Sequence, residues 1–555
     1  MKKKLFLLAL LSANLLLAQQ NQTTIYEDVE FEMPQVNPPA IPDYSVSVSD
    51  FGGVGDGLTR NTEAFAKAID AVVAKGGGHV NVPRGIWLTG PITLQSNLDL
   101  HLEDGALLLF TKDKDDYPLV AISFEGLETY RCLSPINGKD LVNVSITGRG
   151  TIDGNGDAWR AVKKSKVTDS HWKQLVKSGG LLSDDGKNWY PSASYKVGAD
   201  ATAGFFNVPD ASSKDDFVAF KDFLRPVMIS IQTSKNVMLD GPTFQNSPAW
   251  NIHPLMCENV ILRNLNVRNP WYSQNGDGLD LESCKNVLIY NNTFDVGDDA
   301  ICIKSGKDED GRKRGIPTEN VIIKNNIVYH GHGGFVVGSE MSGGVKNVHV
   351  SKCTFMGTDV GLRFKSTRGR GGVVENIFIS DIDMINIPTE PIRFNLFYGG
   401  QSPVLEEDQE AAVVDEALMP VTEKTPSFKD IYIKNVTAVG SGTAAYFQGL
   451  PEMNLKNINL ENVYIEAKKG ISMVDADGIS FKGVTVVTDK GFPLTIYNTK
   501  NISISGFEGK TPDSGLVRVL GAKTDKVTLV ESDYGDCKTE VVIGKEVGKK
   551  AVKLK

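Results

Sequence analysis

Four short motifs in the middle of the chain carry residue types that perform acid and base chemistry. They are Asn275-Gly276-Asp277, Gly297-Asp298-Asp299, Gly331-His332-Gly333 and Arg363-Phe364-Lys365. Carboxylates on neighbouring repeats raise one another's proton affinity, so at least one carboxyl group keeps a proton near neutral pH. A protonated carboxyl beside ionised ones suits glycosidic bond hydrolysis, in which one group protonates the leaving oxygen and another activates water.

A cation site is the competing interpretation of the same carboxylates, because clustered aspartates provide the oxygen ligands that calcium prefers. His332 alone would be weak support for catalysis. Beside Asp298 it becomes a partner that could tune or orient an acid. We therefore take Asp277, Asp298, Asp299 and His332 as the candidate catalytic residues.

Arg363 and Lys365 form a local basic cluster on a chain whose formal net charge is −9. The cluster also includes Arg368, Arg370, Lys304 and Lys307. A planar guanidinium binds a carboxylate through two hydrogen bonds, so the cluster predicts an acidic sugar as substrate. Salt bridges to Asp280, Glu282 or Asp359 are the alternative. The candidate substrate-binding residues are Asn275, Arg363, Lys365, Lys304 and Tyr398.

A repeated unit positions these motifs. Asparagine followed by valine or isoleucine and an alternating strand begins at Asn236, Asn259, Asn286, Asn320, Asn347 and Asn376. The intervals run from 23 to 34 residues, as expected of a solenoid whose turns stack on one another. Short β-branched strands without long intervening helices predict an all-β fold, a parallel β-helix. Stacked about 4.8 Å apart, the asparagines would form a ladder whose amides satisfy backbone groups at each bend.

Aligning four repeats on their serines places the motifs relative to one another. The aligned segments are 279–283, 301–305, 335–339 and 362–366. Asp277 then stacks on Asp299, and Asp298 shares a column with His332. Strand alternation turns Asp298, His332, Arg363 and Lys365 outward.

Asp277 and Asp299 have the opposite parity in this alignment. They reach the outward face only if the chain bends just before each strand. The glycines Gly276, Gly278, Gly297 and Gly333 would permit such a bend through their conformational freedom.

The rest of the chain is predicted to consist of segments 1–18, 19–44, 45–540 and 541–555: a leader, an N-terminal extension, the solenoid and a C-terminal tail. A helix beginning near Asn61 or Thr62 and ending before Gly76 would cap the open end of the solenoid. The aromatic segment 156–224 interrupts the repeat, and it either walls a sugar cleft or packs against the solenoid. The stretch 402–427 is predicted to be an acidic, solvated loop.

Charge and cysteine content exclude several functions. A net charge of −9 argues against nucleic acid as a partner, because phosphate binding needs a basic surface. Six widely spaced cysteines suit neither a disulfide scaffold nor a zinc module. Cys257 and Cys284 are predicted to stack one rung apart, either as a disulfide or as reduced thiols.

The N-terminus resembles a secretory signal peptide: three lysines follow Met1, and an apolar stretch runs from Leu5 to Ala18. That stretch is too short to span a bilayer, and no later segment is apolar enough to do so. We expect a mature chain beginning near Gln19 and a periplasmic or secreted bacterial protein, with no membrane span. The oligomeric state does not follow from the sequence.

The four motifs, in this order, resemble those of the polygalacturonase family, glycoside hydrolase family 28. The turn from Asp50 to Gly57 and the stretch Asn246-Ser247-Pro248-Ala249-Trp250 also resemble bacterial members. The resemblance implies a right-handed parallel β-helix that hydrolyses α-1,4-galacturonosyl linkages with inversion, without metal or cofactor. The expected partner is an acidic plant polysaccharide, pectin, or an oligogalacturonide.

The resemblance also implies roles for individual residues. Asp298 would be the general acid, and Asp277 and Asp299 would deprotonate the attacking water. His332 would support the acid, while Arg363 and Lys365 would bind a galacturonate carboxylate on the leaving-group side. An inverting enzyme is expected to separate its acid and base by about 6.5 to 9.5 Å.

Exo action follows if the inserted segment 156–224 closes one end of the cleft. Three alternatives remain open at this point. The chain could hydrolyse another pectic backbone, such as rhamnogalacturonan or xylogalacturonan. It could be a calcium-dependent pectate lyase on the same kind of solenoid. It could also be a non-catalytic polysaccharide-binding solenoid.

Overall fold

The computed structural model describes residues 25–202, 213–398, 418–512, 515–530 and 541–555. Several predicted features lie outside the described residues: the leader 1–18, Phe205 and Phe206, positions 402–417 of the acidic loop, and Cys537. The described chain forms a right-handed parallel β-helix, which confirms the predicted fold class. Each turn of the solenoid contributes strands to up to three faces.

The first face carries the candidate site residues. Its strands are Ile92–Thr93, Ile136–Lys139, Ile229–Gln232, Ile252–Leu255, Leu279–Glu282, Asp299–Lys304, Gly333–Val337, Val360–Lys365, Ile392–Asn395, Leu494–Tyr497, Val517–Leu520 and Val541–Ile543. The ends of two long strands, Ser427–Gln448 and Leu455–Val474, complete this face.

The second face begins nearer the N-terminus. Its strands are Ser45–Ser47, Gly78–Val82, Leu98–Leu102, Val142–Gly148, Lys235–Asp240, Glu258–Arg263, Lys285–Tyr290, Thr318–Lys324, Val345–Met356, Val373–Ile385, Ala476–Thr488, Lys500–Lys510, Asp525–Val530 and Val552–Leu554. The third face holds Gly85–Thr89, Ala106–Phe110, Thr151–Asp153, Thr243–Gln245, Asn266–Arg268, Thr293–Asp295 and Ile327–His330.

Alternating apolar residues fill the interior of the solenoid. One continuous core runs from Val46 to Ala551, and it includes the predicted inward residues Ile301, Ile303 and Phe335. Because each strand alternates, the intervening side chains project from the outer surface, where they are available for chemistry.

The asparagine ladder is present, and it begins earlier than predicted, at Asn97 and Asn143. The repeat was also predicted to continue at Asp430, Asn457 and Asn501, where Asn457 donates to Asp430 and Asn501 donates to Asp477. The ladder consists of Asn97, Asn143, Asn236, Asn259, Asn286, Asn320, Asn347 and Asn376. Each residue has φ between 55° and 58°. Each amide nitrogen donates to the amide oxygen of the preceding rung at 2.9 to 3.3 Å. The amides therefore bond to one another, and the expectation that they satisfy backbone groups is wrong.

The described helices lie outside the regular coils. They are Thr62–Val73, Asp169–Lys177, Ala193–Ala201 and Asp308–Arg314, with short 3-10 helices at Val48–Phe51, Lys114–Asp116, Gly156–Ala158, Lys164–Lys166 and Lys214–Phe223. The first buries Phe65, Ile69 and Val72 over the solenoid end, as predicted. None of the helices in the described ranges has the length and apolar character needed to cross a bilayer.

Both ends of the chain differ from the expected segments. The extension packs Ile25 and Val36 onto outward residues of the second face, including Ile261 and Leu288. The predicted tail 541–555 instead supplies two solenoid strands, which pair with Val517–Leu520 and Asp525–Val530. Composition did not reveal these strands, because each has only three residues and the segment around them is rich in lysine.

An antiparallel hairpin and the inserted segment cover part of the first face. The hairpin strands are Leu119–Phe124 and Leu127–Cys132. The insertion adds a small sheet of Val162–Lys163, Leu181–Leu182 and Asn188–Tyr190. Trp159 and Tyr195 of the insertion pack with Leu119 and Cys132 of the hairpin in a second apolar cluster. Trp159 and Tyr195 thus pack inside this cover, as Trp172 and Trp189 do in a neighbouring cluster.

The cysteine prediction resolves in favour of free thiols. Cys257 and Cys284 are buried and unpaired. They occupy neighbouring rungs, where the Cys257 backbone N–H donates to the Cys284 Sγ at 3.3 Å.

Candidate active site

The predicted register of the four site strands is confirmed. Leu279 pairs with Ile301, Ile301 with Phe335 and Phe335 with Leu362. The four motifs therefore lie on successive rungs of the first face.

The three candidate carboxylates meet at one point. Asp277, Asp298 and Asp299 each offer an oxygen, and these oxygens lie within 4.8 Å of one another. Asp277 is 4% exposed and Asp299 is 1% exposed, whereas Asp298 is half-buried. The chain bends at Gly278 and at Gly297 and Asp298, just ahead of the strands. The bend that the parity argument required is present.

The glycines serve this bend through close packing. None of Gly276, Gly278, Gly297 and Gly333 has a positive φ, so the expected conformational freedom is not what they contribute. A Cβ at Gly276 would lie 1.9 Å from the Ser273 Oγ, and one at Gly297 would lie 2.4 Å from the same atom. Any larger residue would push apart the loops that carry the carboxylates.

Asp299 is held as an ion by the basic pair. Lys365 Nζ lies 2.6 Å from Asp299 Oδ2, and Arg363 Nη1 lies 3.2 Å from Oδ1. Burial alone would raise the pKa of Asp299, but the charges of Lys365 and Arg363 outweigh it and hold that pKa below its ordinary value. The pKa of Lys365 is raised, because Asp299 more than offsets the cost of burying the ammonium. The basic pair thus neutralises the deepest carboxylate.

Asp277 is a buried carboxyl with a raised pKa. Burial, and then the charges of Asp280 and Asp298, raise its pKa well above the ordinary value. Its Oδ1 is buried and has no hydrogen-bond partner among the described residues. The increase in proton affinity expected of crowded carboxylates therefore falls on Asp277.

Asp280 is a second buried carboxyl with a raised pKa. Burial is the main cause, opposed by Lys304 and reinforced by Asp299. Lys304 Nζ lies 3.6 Å from its Oδ1, which is within ion-pair range but too long for a good hydrogen bond. Sequence reasoning named Asp280 only as a possible salt-bridge partner.

The three carboxylates approach one another closely. One oxygen from each lies within 4.8 Å of the others, and the separation of the acid and base carboxyl groups as wholes, expected at about 6.5 to 9.5 Å, stays a prediction. A single water between two carboxylate oxygens at this distance can donate a hydrogen bond to each of them. The cluster is compact enough to hold one water molecule against a sugar.

His332 lies in the column of Asp298, but its imidazole has another partner. Its backbone N–H donates to the Asp298 carbonyl oxygen at 2.9 Å. Its Nδ1 lies 3.3 Å from Asp359 Oδ2. The imidazole is therefore oriented by Asp359, a residue that the sequence argument placed with the basic cluster.

The remaining basic residues are largely paired with acids. Lys304 Nζ lies 2.7 Å from Glu340 Oε2 and 4.7 Å from the Trp250 ring centroid. Arg368 binds Glu452 through two hydrogen bonds of 2.6 and 2.8 Å. Lys304 is buried beneath the site, and Arg363 and Lys365 remain the cations at the carboxylates.

Lys307 and Arg370 are also engaged in pairs. Lys307 lies 3.9 Å from Glu125, and Arg370 lies 2.5 Å from Asp308. The predicted alternative, that salt bridges hold these cations, describes most of the cluster. The partners include the expected Asp280, 3.6 Å from Lys304, while the other acids of these pairs were not expected because the repeat does not predict them.

Two candidate substrate-binding residues border the carboxylates. Tyr398 is 37% exposed, and its ring centroid lies 5.0 Å from Lys365 Nζ and 5.7 Å from the Arg363 guanidinium. Asn275 has φ 50°, and its backbone N–H donates to Asp298 Oδ2 at 3.2 Å. Its side-chain oxygen accepts from Arg225, so only its amide nitrogen faces other partners.

The same three carboxylates could offer ligands to a cation. Calcium takes six to eight oxygen ligands, however, and both oxygens of Asp299 already contact Lys365 and Arg363. A calcium ion bound here would be repelled by the positive charges of Lys365 and Arg363. The donor set therefore fits calcium poorly, and it fits an acid and base pair better.

The first face is closed on the N-terminal side of the carboxylates. Ser230, His253 and Asp280 project from successive rungs, yet each is at most 1% exposed. Phe124 of the hairpin stacks over Trp250 with ring centroids 4.8 Å apart. Sequence reasoning missed this hairpin, although the apolar run Leu119–Phe124, followed by Glu125-Gly126 as a two-residue turn, is the signal that could have identified it.

Comparisons with known proteins agree with the fold and the site. The family model described as Glycosyl hydrolases family 28 matches residues 219–469. The chain is similar to a hyperthermoactive exopolygalacturonase from Thermotoga maritima, with 34% identity, a TM-score of 0.67, and coverage of 84% of this chain and 96% of that one.

Two further relatives are more distant. A probable polygalacturonase of Vitis vinifera is 29% identical over 461 residues, which cover 80% of this chain and 79% of the relative. An exo-poly-alpha-D-galacturonosidase of Dickeya chrysanthemi is 26% identical over 479 residues, which cover 83% of this chain and 74% of the relative. With the four motifs gathered in one site and such identity over nearly the whole Thermotoga structure, this chain belongs to glycosyl hydrolases family 28.

Proposed function

We propose that the protein hydrolyses α-1,4-galacturonosyl linkages in the polygalacturonate backbone of pectin and removes units from a chain end. The observation that carries this proposal is the contact of Asp299 with Lys365 and Arg363, next to Asp277 and Asp298. It combines an acid and base cluster with cations suited to an acidic sugar. The names of the Thermotoga and Dickeya relatives point to the same activity.

In the proposed mechanism Asp298 is the general acid, because it is the only one of the three carboxyls that is substantially open to a sugar. Asp299 and Asp277 hold the attacking water, and ionised Asp299 accepts its proton. The raised pKa of Asp277 favours its protonated form, so Asp277 can exchange a proton with the other carboxyls between turnovers.

Asp299 is poorly placed to attack the sugar itself. It is almost fully buried, and each of its oxygens contacts a cation. Asp277 is almost fully buried as well, at 4% exposed. Water is left as the attacking group, which supports a single displacement with inversion.

Exo action is supported by the covered N-terminal side of the site. Arg363 and Lys365 lie on the C-terminal side of the carboxylates, where the leaving part of the substrate would bind. The released sugar would then lie toward Trp250 and Phe124, where the face is closed. A chain can enter such a site only by its end.

Product analysis on polygalacturonate tests both parts of the proposal. Chromatography of the first products should show galacturonate monomer, whereas a ladder of oligomers would contradict exo action. Proton NMR should show the β anomer first, because inversion of an α linkage yields it. Activity that requires calcium and gives an unsaturated product would instead establish a lyase.

We also propose that the protein is exported through its N-terminal leader. The support is the basic and then apolar pattern of residues 1–18. Mass spectrometry of protein from the periplasm or medium should find an N-terminus near Gln19. Full-length protein retained in the cytoplasm would contradict export.

A further inference from the structure

Arg225 is a fully buried arginine at the junction between the inserted segment and the solenoid. It follows the 3-10 helix Lys214–Phe223 and precedes the strand Ile229–Gln232. Its exposed fraction is 0%. Burying a guanidinium is costly unless hydrogen bonds satisfy it, so its acceptors indicate what it is there to hold.

Three of those acceptors belong to the loops around the carboxylates. Arg225 Nη1 donates to the carbonyl oxygens of Pro248 and Gln274, each at 2.9 Å. Its Nη2 donates to the side-chain oxygen of Asn275 at 2.8 Å. The planar guanidinium therefore ties the loop before Ile252–Leu255 to the loop that contains Asp277.

Asn275 links Arg225 to the proposed general acid, Asp298. Its backbone has φ 50°, a conformation that asparagine tolerates better than most residues. In that conformation its N–H points at Asp298 Oδ2, 3.2 Å away. A shift of the Asn275 peptide would remove this donor from Asp298 Oδ2 and leave the carboxyl with the Asp299 backbone N–H, which donates to Oδ1 at 3.1 Å. The carboxyl would then be held at one oxygen, where it is now held at both.

The hairpin fixes Arg225 from the other side. Arg131 Nε donates to the Arg225 carbonyl oxygen at 2.8 Å. The Arg131 guanidinium lies 3.6 Å from the Phe124 ring centroid. Arg225 is thus held by the same cover that closes the N-terminal side of the site.

We propose that Arg225 is a positioning residue for the general acid, acting through Asn275. The inference rests on the proposed hydrolytic function. It gives the inserted segment a second role, because the cover that limits substrate entry also holds Asp298 in its working orientation. A misplacement of about 1 Å in a reacting group costs about a hundredfold in rate, so the effect on turnover should be large.

A double-mutant cycle tests the coupling. Arg225→Met removes the three donated hydrogen bonds, and Asn275→Gly removes the acceptor but keeps the backbone N–H and the positive φ. Each variant should lose about a hundredfold in kcat on an oligogalacturonide, and the KM of Arg225→Met, whose residue is fully buried, should change by no more than about twofold. Because both act through one contact, the double variant should be no slower than either single variant.

Arg160→Met is the matched control. Arg160 is also fully buried, and it donates to the Ser247 carbonyl and to Asn246, one rung away from Asn275. We expect it to lower the melting temperature as much as Arg225→Met but to retain most of kcat. If Arg225→Met is too unstable to assay, Arg225→Lys supplies the comparison, since lysine keeps the positive charge but lacks the planar guanidinium that donates to several acceptors at once.

Two results would overturn the proposal: losses in kcat that multiply in the double variant, or an Arg225 variant whose kcat matches that of Arg160→Met. Addition of guanidinium to an Arg225→Ala variant gives an independent readout, because it should restore kcat at least about tenfold if geometry is the cause. All rates are compared with that of the wild-type enzyme. If the wild type itself does not turn over polygalacturonate, the proposed function fails, whatever the Arg225 variants do.

Discussion

The first face of the solenoid differs sharply on the two sides of the carboxylates. On the N-terminal side His253 and Asp280 project outward but are fully buried, and Phe124 of the hairpin packs on Trp250, whose ring contacts His253. On the C-terminal side Arg363 pairs in register with Arg393, whose side chain is 30% exposed. The backbone repeat is the same in both regions, so the cover, and not the solenoid, makes the two ends of the cleft unequal.

This difference separates two tasks within one molecule. The regular rungs provide the reactive groups, because stacking places Asp277, Asp299 and Lys365 together at fixed spacing. The hairpin and the insertion determine which part of a substrate can reach these groups. Substitutions at the carboxylates should therefore change the rate, and substitutions in the cover should change the products.

The largest effect is expected at the boundary between the two regions. Asp298→Asn removes the proposed proton donor and should lower kcat by about a thousandfold or more. Reducing-sugar release from polygalacturonate measures it. Asp295→Asn is the matched control, since Asp295 precedes the same bend, is exposed and pairs with His330. Retention of turnover in Asp298→Asn would contradict the hydrolase assignment.

A smaller loss is expected on the open side from Lys365→Met. Without its ammonium the buried Asp299 is no longer held as an ion, so kcat should fall about a hundredfold. Removing one partner of a buried pair should also cost about 3 to 5 kcal/mol of unfolding free energy.

The stability loss in Lys365→Met has a defined pH dependence. The wild-type folded pKa of Asp299 lies below the unfolded value, so its contribution is present above about pH 3.9 and is lost as pH falls through the folded pKa. The gap in melting temperature between wild type and variant should be full at neutral pH and narrow below about pH 4. A gap that is independent of pH would contradict the ion-pair description of Asp299.

Opening the closed side should change the products more than the rate. We would replace residues 123–128 at the hairpin tip with an Asn-Gly turn, which keeps the strands joined but uncovers Trp250. Dimers and longer oligomers should then appear among the first products, with monomer release slowed about tenfold. Arg393→Met on the open side is the control, and it should leave monomer as the first product. Monomer alone from the hairpin variant would show that the hairpin does not set the product size.

The smallest effect concerns the covered carboxyl Asp280. Its folded pKa is raised mainly by burial, so the native state binds more protons than the unfolded state above about pH 3.9 and stability falls as pH rises through that range. Asp280→Asn removes this dependence. It should raise the unfolding free energy at pH 7 on the order of 1 kcal/mol, with the two proteins converging near pH 4. Thermal melts across pH would reveal a variant less stable than wild type at pH 7, which would contradict the burial argument.

Much of the fold and site could be predicted because both repeat. The spacing of Asn236 to Asn376 indicated the solenoid, and serine alignment placed Leu279, Ile301 and Phe335 in register. Strand parity even identified the bend that Asp299 requires. Periodicity is a local property of the sequence, so it can be recognised without knowledge of tertiary contacts.

The unpredicted features depend on contacts between segments that share no period. The pairing of Lys304 with Glu340 and the burial of Arg225 under the hairpin are of this kind. The role of Gly276 was also misjudged, because the nearness of Ser273 is a property of the folded loops. Sequence pattern shows which strands stack, but it does not show what an insertion will cover.

The asparagine ladder has a polarity that runs the length of the site. Every amide nitrogen donates toward the N-terminus, from Asn376 through Asn286 to Asn97. Side-chain dipoles aligned in this way add together along the axis, and each bond polarises the next. A substitution at Asn286 would divide this row into two shorter, weaker ones, whereas a substitution at Asn376 would only shorten it. The ladder therefore has a net dipole along the solenoid axis. The loss of stability caused by substituting one asparagine should depend on its position in the row.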